Sequence, residues 1–414
     1  MENCVRGAGH EQLGAEMAYE SIADLNDERR RLAYERSARP REYFTERRGG
    51  CPFDESIEIG APMLIRRADV ETALRGWQDY SSEFAGVMGS EEPIIPLNVD
   101  PPLHVKYRRL LDPLFSPKKM AALQPAVEQH TNDLIDSFLE RGGCDFATEL
   151  AVPLPCSVFL TLLGLPLDEL DALVRWKDIM IRPEHVVADP EAALKLQADT
   201  AMEIYARFGE EINERRTRPR DDLMTFLTVA EIDGEKLTDS EILRTCFLLL
   251  AAGLDTVTIS LECIFSYLLD DDDARRMLVD EPGTEVNLIE ELLRWETPVQ
   301  AVSRRLNREI EIDGHVLPQD QPVWLGLAGA NTDPVGLPGA DRVDVRREDI
   351  RSLAFGGGPH RCLGSNLARM ELRTVVRTWH DRIPEYRLKP GTELIWNSSN
   401  LRGVDNLPLV WGER

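Results

Sequence analysis

A lone cysteine stands in a glycine-rich loop just before a helical pattern, in Phe355-Gly-Gly-Gly-Pro-His-Arg-Cys-Leu-Gly364. The N–H groups and the positive dipole end of the helix that begins near Ser365 favour a thiolate over a thiol at Cys362. The glycines remove side-chain bulk, so a large flat ligand could approach the backbone closely. The loop therefore predicts a thiolate beside a flat ligand.

The residues of this loop alone also allow other interpretations. A single cysteine is most often a small buried hydrophobic residue. A glycine run can bind phosphate, but no Gly-Lys-Ser/Thr follows this one. Cys362 and His360 could form a nucleophile pair, although side chains two residues apart need not face each other.

A long apolar helix carries the second set of candidate residues. Thr238-Asp-Ser-Glu241 is a capping box, and the pattern after it predicts one helix to about Leu269, apolar on all sides and therefore buried. Inside it, Gly253 costs about 1 kcal/mol relative to alanine. Asp255 and Thr256 place polar groups in this core, which is costly unless they are satisfied.

Three residues of this helix share one face, because Leu248, Ala252 and Thr256 are spaced by four. The small Ala252 leaves room for a flat ligand, and Thr256 offers a hydroxyl beside it. A helix with one solvent-exposed edge would explain any single polar residue, but the cluster favours a ligand site.

These motifs resemble those of the cytochrome P-450 family, the haem-thiolate monooxygenases. Phe355, Gly358, His360, Cys362 and Gly364 fall on positions of that family's cysteine-ligand loop. The resemblance implies that Cys362 is the axial ligand of haem b. Such a thiolate pushes electron density onto the iron and favours O–O cleavage.

The family's distal-helix motif resembles Ala252–Thr256 residue for residue. By this likeness Ala252 lies beside the haem, and Thr256 hydrogen-bonds dioxygen at the haem or a water next to it. Asp255 would relay protons from solvent, and Gly253 would allow a local opening of the helix.

The resemblance also assigns four side chains to the haem propionates, since buried charges need partners. His104 and Arg108 are four residues apart, hence on one helical face, and could grip a carboxylate together. Arg304 and His360 align with further family donors.

A structural brace beneath the haem is implied by Glu291-Leu-Leu-Arg294, which matches the family's Glu-x-x-Arg pair. An isolated i, i+3 pair of this kind contributes about 0.5 kcal/mol or less on a solvated face. The third member expected is Arg342, although Val343 stands where the family usually has Phe.

The expected substrate is an apolar terpenoid, steroid or aromatic molecule, hydroxylated or epoxidised with O₂, because the expected lining carries few charges. The segment Ser82–Val99 is expected to act as a lid. The expected lining residues are Phe84, Val87, Met88, Ile95, Leu248, Ala251, Ala252, Val299, Val302 and Leu401.

Electrons are expected from a separate ferredoxin and its reductase, because the chain has no flavin or nicotinamide segment. The expected basic dock comprises Arg108, Arg109, Lys118, Lys119, Arg361 and Arg369. A peroxide-driven peroxygenase and a haem sensor without catalysis are the alternatives. The intact Asp255-Thr256 pair favours O₂ activation over both.

Composition narrows the class of protein. A net charge of −25 and a pI near 4.8 argue against nucleic acid or an anionic membrane as partner. No apolar run approaches a membrane span, and Met1–Arg48 lacks the apolar centre of a signal peptide. Seven cysteines without a CxxC pair suit a reducing cytoplasm. The expectation is a cytoplasmic monomer without a membrane anchor.

Helical patterns dominate, with a minor β portion in separate pieces. Helices are predicted over Lys118–Leu163, Leu167–Met180 and Pro190–Thr217, and a hairpin around Asp313-Gly314. The resemblance covers about Ser56 to Trp411 and is strongest to the soluble bacterial group that includes camphor hydroxylase. It implies one mainly α domain over residues 1–414, a triangular helical prism with small β-sheets, after an N-terminal segment (1–48) that is partly loose.

Overall fold

The computed structural model describes residues 31–54, 60–83, 92–183, 186–187, 189–397 and 400–412. Helices predominate: α1 (Pro40–Arg48), α2 (Arg67–Arg75), α3 (Leu103–Leu111), α4 (Pro117–Phe138), α5 (Pro153–Leu163), α6 (Leu170–Ile181), α7 (Pro190–Thr217), α8 (Leu223–Val229), α9 (Asp239–Asp270), α10 (Asp272–Asp280), α11 (Thr284–Glu296), α12 (Leu327–Asn331) and α13 (Ser365–Arg382). The mainly helical class is confirmed.

The strands are short: β1 (Phe53–Asp54), β2 (Met63–Leu64), β3 (Tyr80–Ser81), β4 (Gly143–Asp145), β5 (Glu231–Ile232), β6 (Glu235–Lys236), β7 (Ala301–Leu306), β8 (Ile310–Ile312), β9 (His315–Leu317), β10 (Pro322–Gly326), β11 (Arg387–Leu388) and β12 (Pro408–Val410). They form one five-stranded, one three-stranded and two two-stranded sheets within the described residues.

The chain divides into two compact units, each built from three stretches. The first comprises Met1–Ser82, Asn287–Cys362 and Leu394–Asp405, and the second comprises Glu83–Val286, Leu363–Glu393 and Asn406–Arg414. Neither unit is continuous in sequence. The single-domain organisation over residues 1–414 stays a prediction. Of the N-terminal segment expected to be partly loose, residues 31–38 and 40–48 are helical.

The first unit is centred on the sheet with strand order β1-β2-β10-β7-β3. Strand β10 pairs antiparallel with β7 and parallel with β2. The predicted hairpin is confirmed as β8–β9, with Asp313 at φ 50° and Gly314 at φ 80°. Two consecutive positive φ values belong to the turn whose twist matches a hairpin, which explains Asp-Gly there.

The second unit is built around α9. The predicted capping box is confirmed: the Thr238 side chain accepts from the Glu241 N–H, and the Glu241 carboxylate accepts from the Thr238 N–H. Helices α5, α6, α7 and α13 pack against α9. The helix is long and apolar enough to cross a membrane, but 78% of its apolar window is buried inside the protein, as in a core helix.

Two sequence expectations about helix ends have different outcomes. Helix α7 has the predicted bounds, and Gly164 ends α5 at φ 69°. The mainly helical run predicted over Lys118–Leu163 contains α4 and α5 but is interrupted between them, where a left-handed Gly142 (φ 70°) leads into strand β4. The Gly142-Gly143 pair lowers helix propensity enough to stop it.

Most of the described cysteines are free thiols. Cys51 takes part in a disulfide bond. The other described cysteines are thiols, and they are Cys144, Cys156, Cys246, Cys263 and Cys362. Burial raises the pKa of the Cys156 and Cys246 thiols to about 12, so both stay protonated.

Candidate active site

Cys362 is exposed at the end of a loop that closes on itself. Its N–H donates to the Phe355 carbonyl at 2.9 Å, and the Gly356 N–H donates to the Leu353 carbonyl at 2.8 Å. Gly358–His360 forms a single 3₁₀ turn within the loop. These backbone bonds hold the loop in one shape and leave the Cys362 side chain outward.

Gly358 fixes this loop to helix α2. Its φ is 64°, and a Cβ atom at this position would lie 2.0 Å from the Leu74 carbonyl oxygen. Only glycine fits such an approach. Gly356 has the same φ of 64°, but a Cβ there would meet nothing within 4 Å. The two glycines therefore act differently: one permits packing, and the other permits a turn beside open space.

Two of the predicted propionate donors lie in the same unit as Cys362. Arg304 is 8% exposed in strand β7, where its partner residue in β10 is Val323, and one of its nitrogens donates to the Ser303 carbonyl at 2.6 Å. His360 is half-buried in the cysteine loop. A buried guanidinium is a suitable counter-charge for a buried carboxylate.

In the second unit, α9 exposes two small residues on one face. Ala252 and Gly253 are exposed although their neighbours Ala251 and Leu254 are buried, and a Cβ at Gly253 would meet nothing within 4 Å. Thr256 is half-buried on this side and donates its hydroxyl hydrogen to the Ala252 carbonyl at 2.8 Å. The helix is continuous through Gly253, so the local opening expected there stays a prediction.

Asp255 points to the buried side of α9 and lies in a cluster of ion pairs. Its carboxylate is 3.4 Å from Lys177 Nζ and 3.0 Å from Arg182 Nη2. Lys177 is 3% exposed and is also 2.6 Å from Asp178, whose side chain is 51% exposed. The cluster therefore runs from a buried carboxylate to solvent-accessible side chains.

Lys177 keeps its proton in this cluster. Burial alone lowers the pKa of its ammonium, but Asp255 and Asp178 together raise the pKa above the ordinary value. Helical spacing in the sequence points to this residue, because Lys177 shares the apolar face of α6 with Leu173, Trp176 and Met180, all of which are buried. A lysine on an apolar face usually has a carboxylate partner.

Helix α3 carries the other predicted donors. His104 is 2% exposed, and its backbone N–H donates to the Asp100 carbonyl at 3.0 Å. Arg108 forms an ion pair of 2.7 Å through Nε with Asp112, one turn later. A guanidinium has five N–H donors, so this pair uses only part of its capacity.

The brace beneath the haem stays a prediction, and the structure places its three named residues as follows. Glu291 and Arg294 are fully buried and form two hydrogen bonds of 2.7 and 2.8 Å. Arg342 contributes its carbonyl, which accepts from Arg294, while its own side chain is exposed. The guanidinium on Glu291 comes from Arg347, with Nε 3.2 Å from both carboxylate oxygens.

The backbone explains why Arg347 takes this place. The Asp344 N–H donates to Glu291, and the Arg347 nitrogens donate to the Pro338 and Gly339 carbonyls. The loop therefore folds back over the carboxylate and presents its later arginine. Nothing local in the sequence chooses among the neighbouring arginines, which are Arg342, Arg346, Arg347 and Arg351.

The predicted pocket residues are divided between the units. In the first, Val299 and Leu401 are bridged in antiparallel fashion, and Val302 pairs with Leu325. In the second, Ile95 and Leu248 belong to one apolar core cluster, with Ala251 6% exposed on α9. The predictions on Phe84, Val87 and Met88 lie outside the described residues.

Residues of each unit suit part of a haem's chemistry. In the first unit, Cys362 offers an exposed soft thiol ligand, and the buried Arg304 is a nitrogen donor suited to a carboxylate. In the second unit, Ala252 and Gly253 are exposed on α9, and His104 is a buried nitrogen donor.

Comparison with known proteins decides the family. The family model described as cytochrome P450 matches residues 169–379, half of the chain. The chain belongs to the cytochrome P450 family. Members of the family are haem-thiolate enzymes, so this P450 is a monooxygenase with iron protoporphyrin IX as cofactor.

Individual relatives agree with this assignment. Cytochrome P450 107B1 of Saccharopolyspora erythraea is 36% identical over 76% of this chain and 76% of its own. A steroid C26-monooxygenase of Mycobacterium tuberculosis is 31% identical over 79% of this chain and 89% of its own. The structure of CYP109E1 from Bacillus megaterium in complex with corticosterone has a TM-score of 0.83 at 28% identity, covering 91% of this chain and 99% of that one.

Proposed function

We propose that Cys362 supplies the axial thiolate of this monooxygenase. The observation that supports it is the exposed cysteine at the end of a loop closed by its own N–H bond to Phe355 and fixed to α2 by Gly358. When bound, the haem activates O₂ and inserts one oxygen atom into the substrate, with the thiolate favouring O–O cleavage.

Thr256 and Asp255 are proposed to handle protons. The Thr256 hydroxyl donates to Ala252, so in this rotamer it offers its lone pairs, and it accepts a hydrogen bond at the reaction site. The Asp255 carboxylate contacts Lys177 and Arg182, so it must leave these two cations before it can reach Thr256. Rotation of Asp255 away from the two cations, toward Thr256 on its own helix, is the proposed delivery step.

The anchors and the brace have separate roles in this proposal. His104, Arg108, Arg304 and His360 bind the propionates. Glu291, Arg294 and Arg347 hold the first unit's loop and helix together without touching a reactant, with the Arg342 carbonyl as a further acceptor.

The proposed substrate is an apolar small molecule of terpenoid, steroid or aromatic type. Among the described candidates, Ile95, Leu248 and Ala251 in one unit and Val299, Val302 and Leu401 in the other are all uncharged. The relative that oxidises a steroid and the neighbour that holds corticosterone favour a steroid-sized substrate.

The proposed electron donor is a ferredoxin served by a separate reductase, with the enzyme in the cytoplasm as a monomer. Of the basic residues named for the dock, Arg109, Lys118, Lys119 and Arg361 are exposed, and Arg108 and Arg369 are half-buried. Exposed cations on a protein of net charge −25 are suited to steer an acidic partner.

Replacing the cysteine tests the proposal. We expect the reduced carbon monoxide complex of the wild-type protein to show the red-shifted Soret band of a thiolate ligand, and Cys362→His to lose it, because imidazole donates less electron density. Cys144→Ser, a buried thiol elsewhere, is the control and should keep the band. An unchanged band in Cys362→His would show that another residue binds the iron.

A further inference from the structure

Arg244 lies on α9, one turn before Leu248, and contacts the start of the segment Glu92–Val99. Its Nη1 donates to the Pro93 carbonyl at 3.0 Å and is 3.3 Å from Glu92 Oε2. Ser240, one turn earlier on the same helix, donates its hydroxyl to Glu92 at 3.0 Å. The first turns of α9 thus contact two consecutive residues of this segment.

The segment that follows carries apolar side chains into the core. Ile94 is 1% exposed and Ile95 is 2% exposed, and both belong to the core cluster that includes Leu248. The Asn98 N–H donates to the Ile94 carbonyl at 2.8 Å, which closes a turn behind these side chains. A tether at Pro93 therefore fixes where Ile94 and Ile95 pack.

The two contacts of Arg244 differ in strength. The side chain of Arg244 is 16% exposed, whereas that of Glu92 is 63% exposed. An ion pair to so exposed a carboxylate contributes little and is screened by salt. The bond from the guanidinium to the Pro93 carbonyl is charge-assisted, so it is the stronger tether.

Other elements meet at the same place. Tyr107 of α3 donates its hydroxyl to Glu241 at 2.6 Å, and Tyr205 of α7 packs against Phe247 with ring centroids 5.3 Å apart. Burial raises the pKa of both tyrosines, and the positive charge of Arg244 opposes this, so the guanidinium lies near both rings. Arg244 therefore lies near α3 and α7 as well as Glu92 and Pro93.

We propose that Arg244 is a positioning residue for substrate selection, which holds Glu92–Val99 so that Ile95 stays packed beside Leu248. The inference rests on the proposed assignment of Ile95 and Leu248 to the substrate pocket. In this role Arg244 does not contact the substrate, but it determines the shape of the pocket wall that contacts the substrate.

Two ligands of the haem serve as probes. Imidazole is small and reports on the iron, whereas 4-phenylimidazole must also fit the apolar walls. Both bindings are followed in the holoenzyme by the shift of the Soret band. We expect Arg244→Met to weaken the binding of 4-phenylimidazole about tenfold, which corresponds to about 1.4 kcal/mol. The affinity for imidazole should stay nearly unchanged.

Matched variants separate the wall from general damage. Arg244→Lys can still donate to the Pro93 carbonyl and should restore most of the affinity. Arg216→Met removes an exposed arginine that pairs with Asp239 at the start of the same helix, and should change neither probe. Hydrogen exchange at the Asn98 amide should be faster in Arg244→Met than in Arg216→Met, because the turn behind Ile94 is released.

The outcomes distinguish this inference from the proposed function. Ile95→Ala tests the wall itself: wild-type affinities for both probes in that variant would contradict both the pocket assignment of Ile95 and the positioning role of Arg244. If Ile95→Ala changes the ratio of the two affinities while Arg244→Met and Arg244→Lys keep the wild-type ratio and the wild-type Asn98 exchange, the positioning role of Arg244 is wrong. No Soret shift with imidazole in the wild-type protein would overturn the haem assignment instead.

Discussion

A threonine hydroxyl whose hydrogen is already engaged can only accept. Thr256 donates to the Ala252 carbonyl at 2.8 Å, and Ser260 does the same to the Thr256 carbonyl at 2.6 Å. Both hydroxyls donate to the carbonyl four residues earlier in α9. Thr256 is half-buried beside the exposed Ala252, whereas Ser260 is only 8% exposed. The pair therefore separates a local helix effect from a role in proton delivery.

For Thr256→Ala we expect a fall in the product formed per NADH, with substantial NADH oxidation and more hydrogen peroxide released. A methyl group fills similar space but neither accepts nor donates a hydrogen bond, so protons reach the oxygen without control. The loss expected for one proton-transfer group is of the order of 10²-fold or more in productive rate. Coupling is measured with ferredoxin and reductase supplied.

Ser260→Ala is the control and should keep wild-type coupling. Asp255→Asn should slow the whole cycle, because an amide pairs weakly with Lys177 and Arg182 and neither takes up nor releases a proton near neutral pH. Wild-type coupling in Thr256→Ala would mean that the hydroxyl has no part in proton delivery, and the peroxide-driven alternative would gain support.

At the scale of elements, local patterns determined local structure. The capping box of α9, the Asp-Gly hairpin and the Gly164 helix stop all follow from side-chain and backbone chemistry within four or five residues. Contacts between distant residues had no such signal. Lys177 and Asp255 are 78 positions apart, and Glu291 and Arg347 are 56 apart. The resemblance named Arg342 for the brace, whereas the guanidinium that contacts Glu291 is that of Arg347.

The contacts of Glu291 and Arg294 allow a direct comparison of two arginines. We expect Arg347→Gln to lower the free energy of unfolding by about 1–3 kcal/mol, because it leaves part of the buried Glu291 carboxylate without its donor. Arg342→Gln should cost about 0.5 kcal/mol or less, since only its carbonyl is used and its side chain is exposed. Urea unfolding of both variants checks this, and equal costs would contradict the assignment of Arg347.

At the scale of the whole molecule, most carboxylates lie at the surface and account for the net charge of −25. Glu371 of α13 is different. It is 2% exposed, its Oε2 atom has no hydrogen-bond partner among the described residues, and burial raises its pKa to about 8. The sequence alone could not single it out, because Arg-Met-Glu-Leu reads as an ordinary helix with one charged position.

This group predicts how stability depends on pH. The carboxyl titrates at about 4.5 when unfolded and at about 8 when folded, so the folded state binds its proton more tightly. Stability contributed by the neutral acid is present below pH 4.5 and is lost as the pH rises toward 8, with a slope of at most about 1.4 kcal/mol per pH unit. We expect Glu371→Gln to remove this fall. The stability of the variant relative to the wild-type protein should therefore increase between about pH 5 and about pH 8 and stay constant above that. Urea unfolding across this range measures it, with the exposed Glu128→Gln as control. If the curves of Glu371→Gln and the wild type run parallel, Glu371 is ionised at neutral pH and has a partner that compensates its burial.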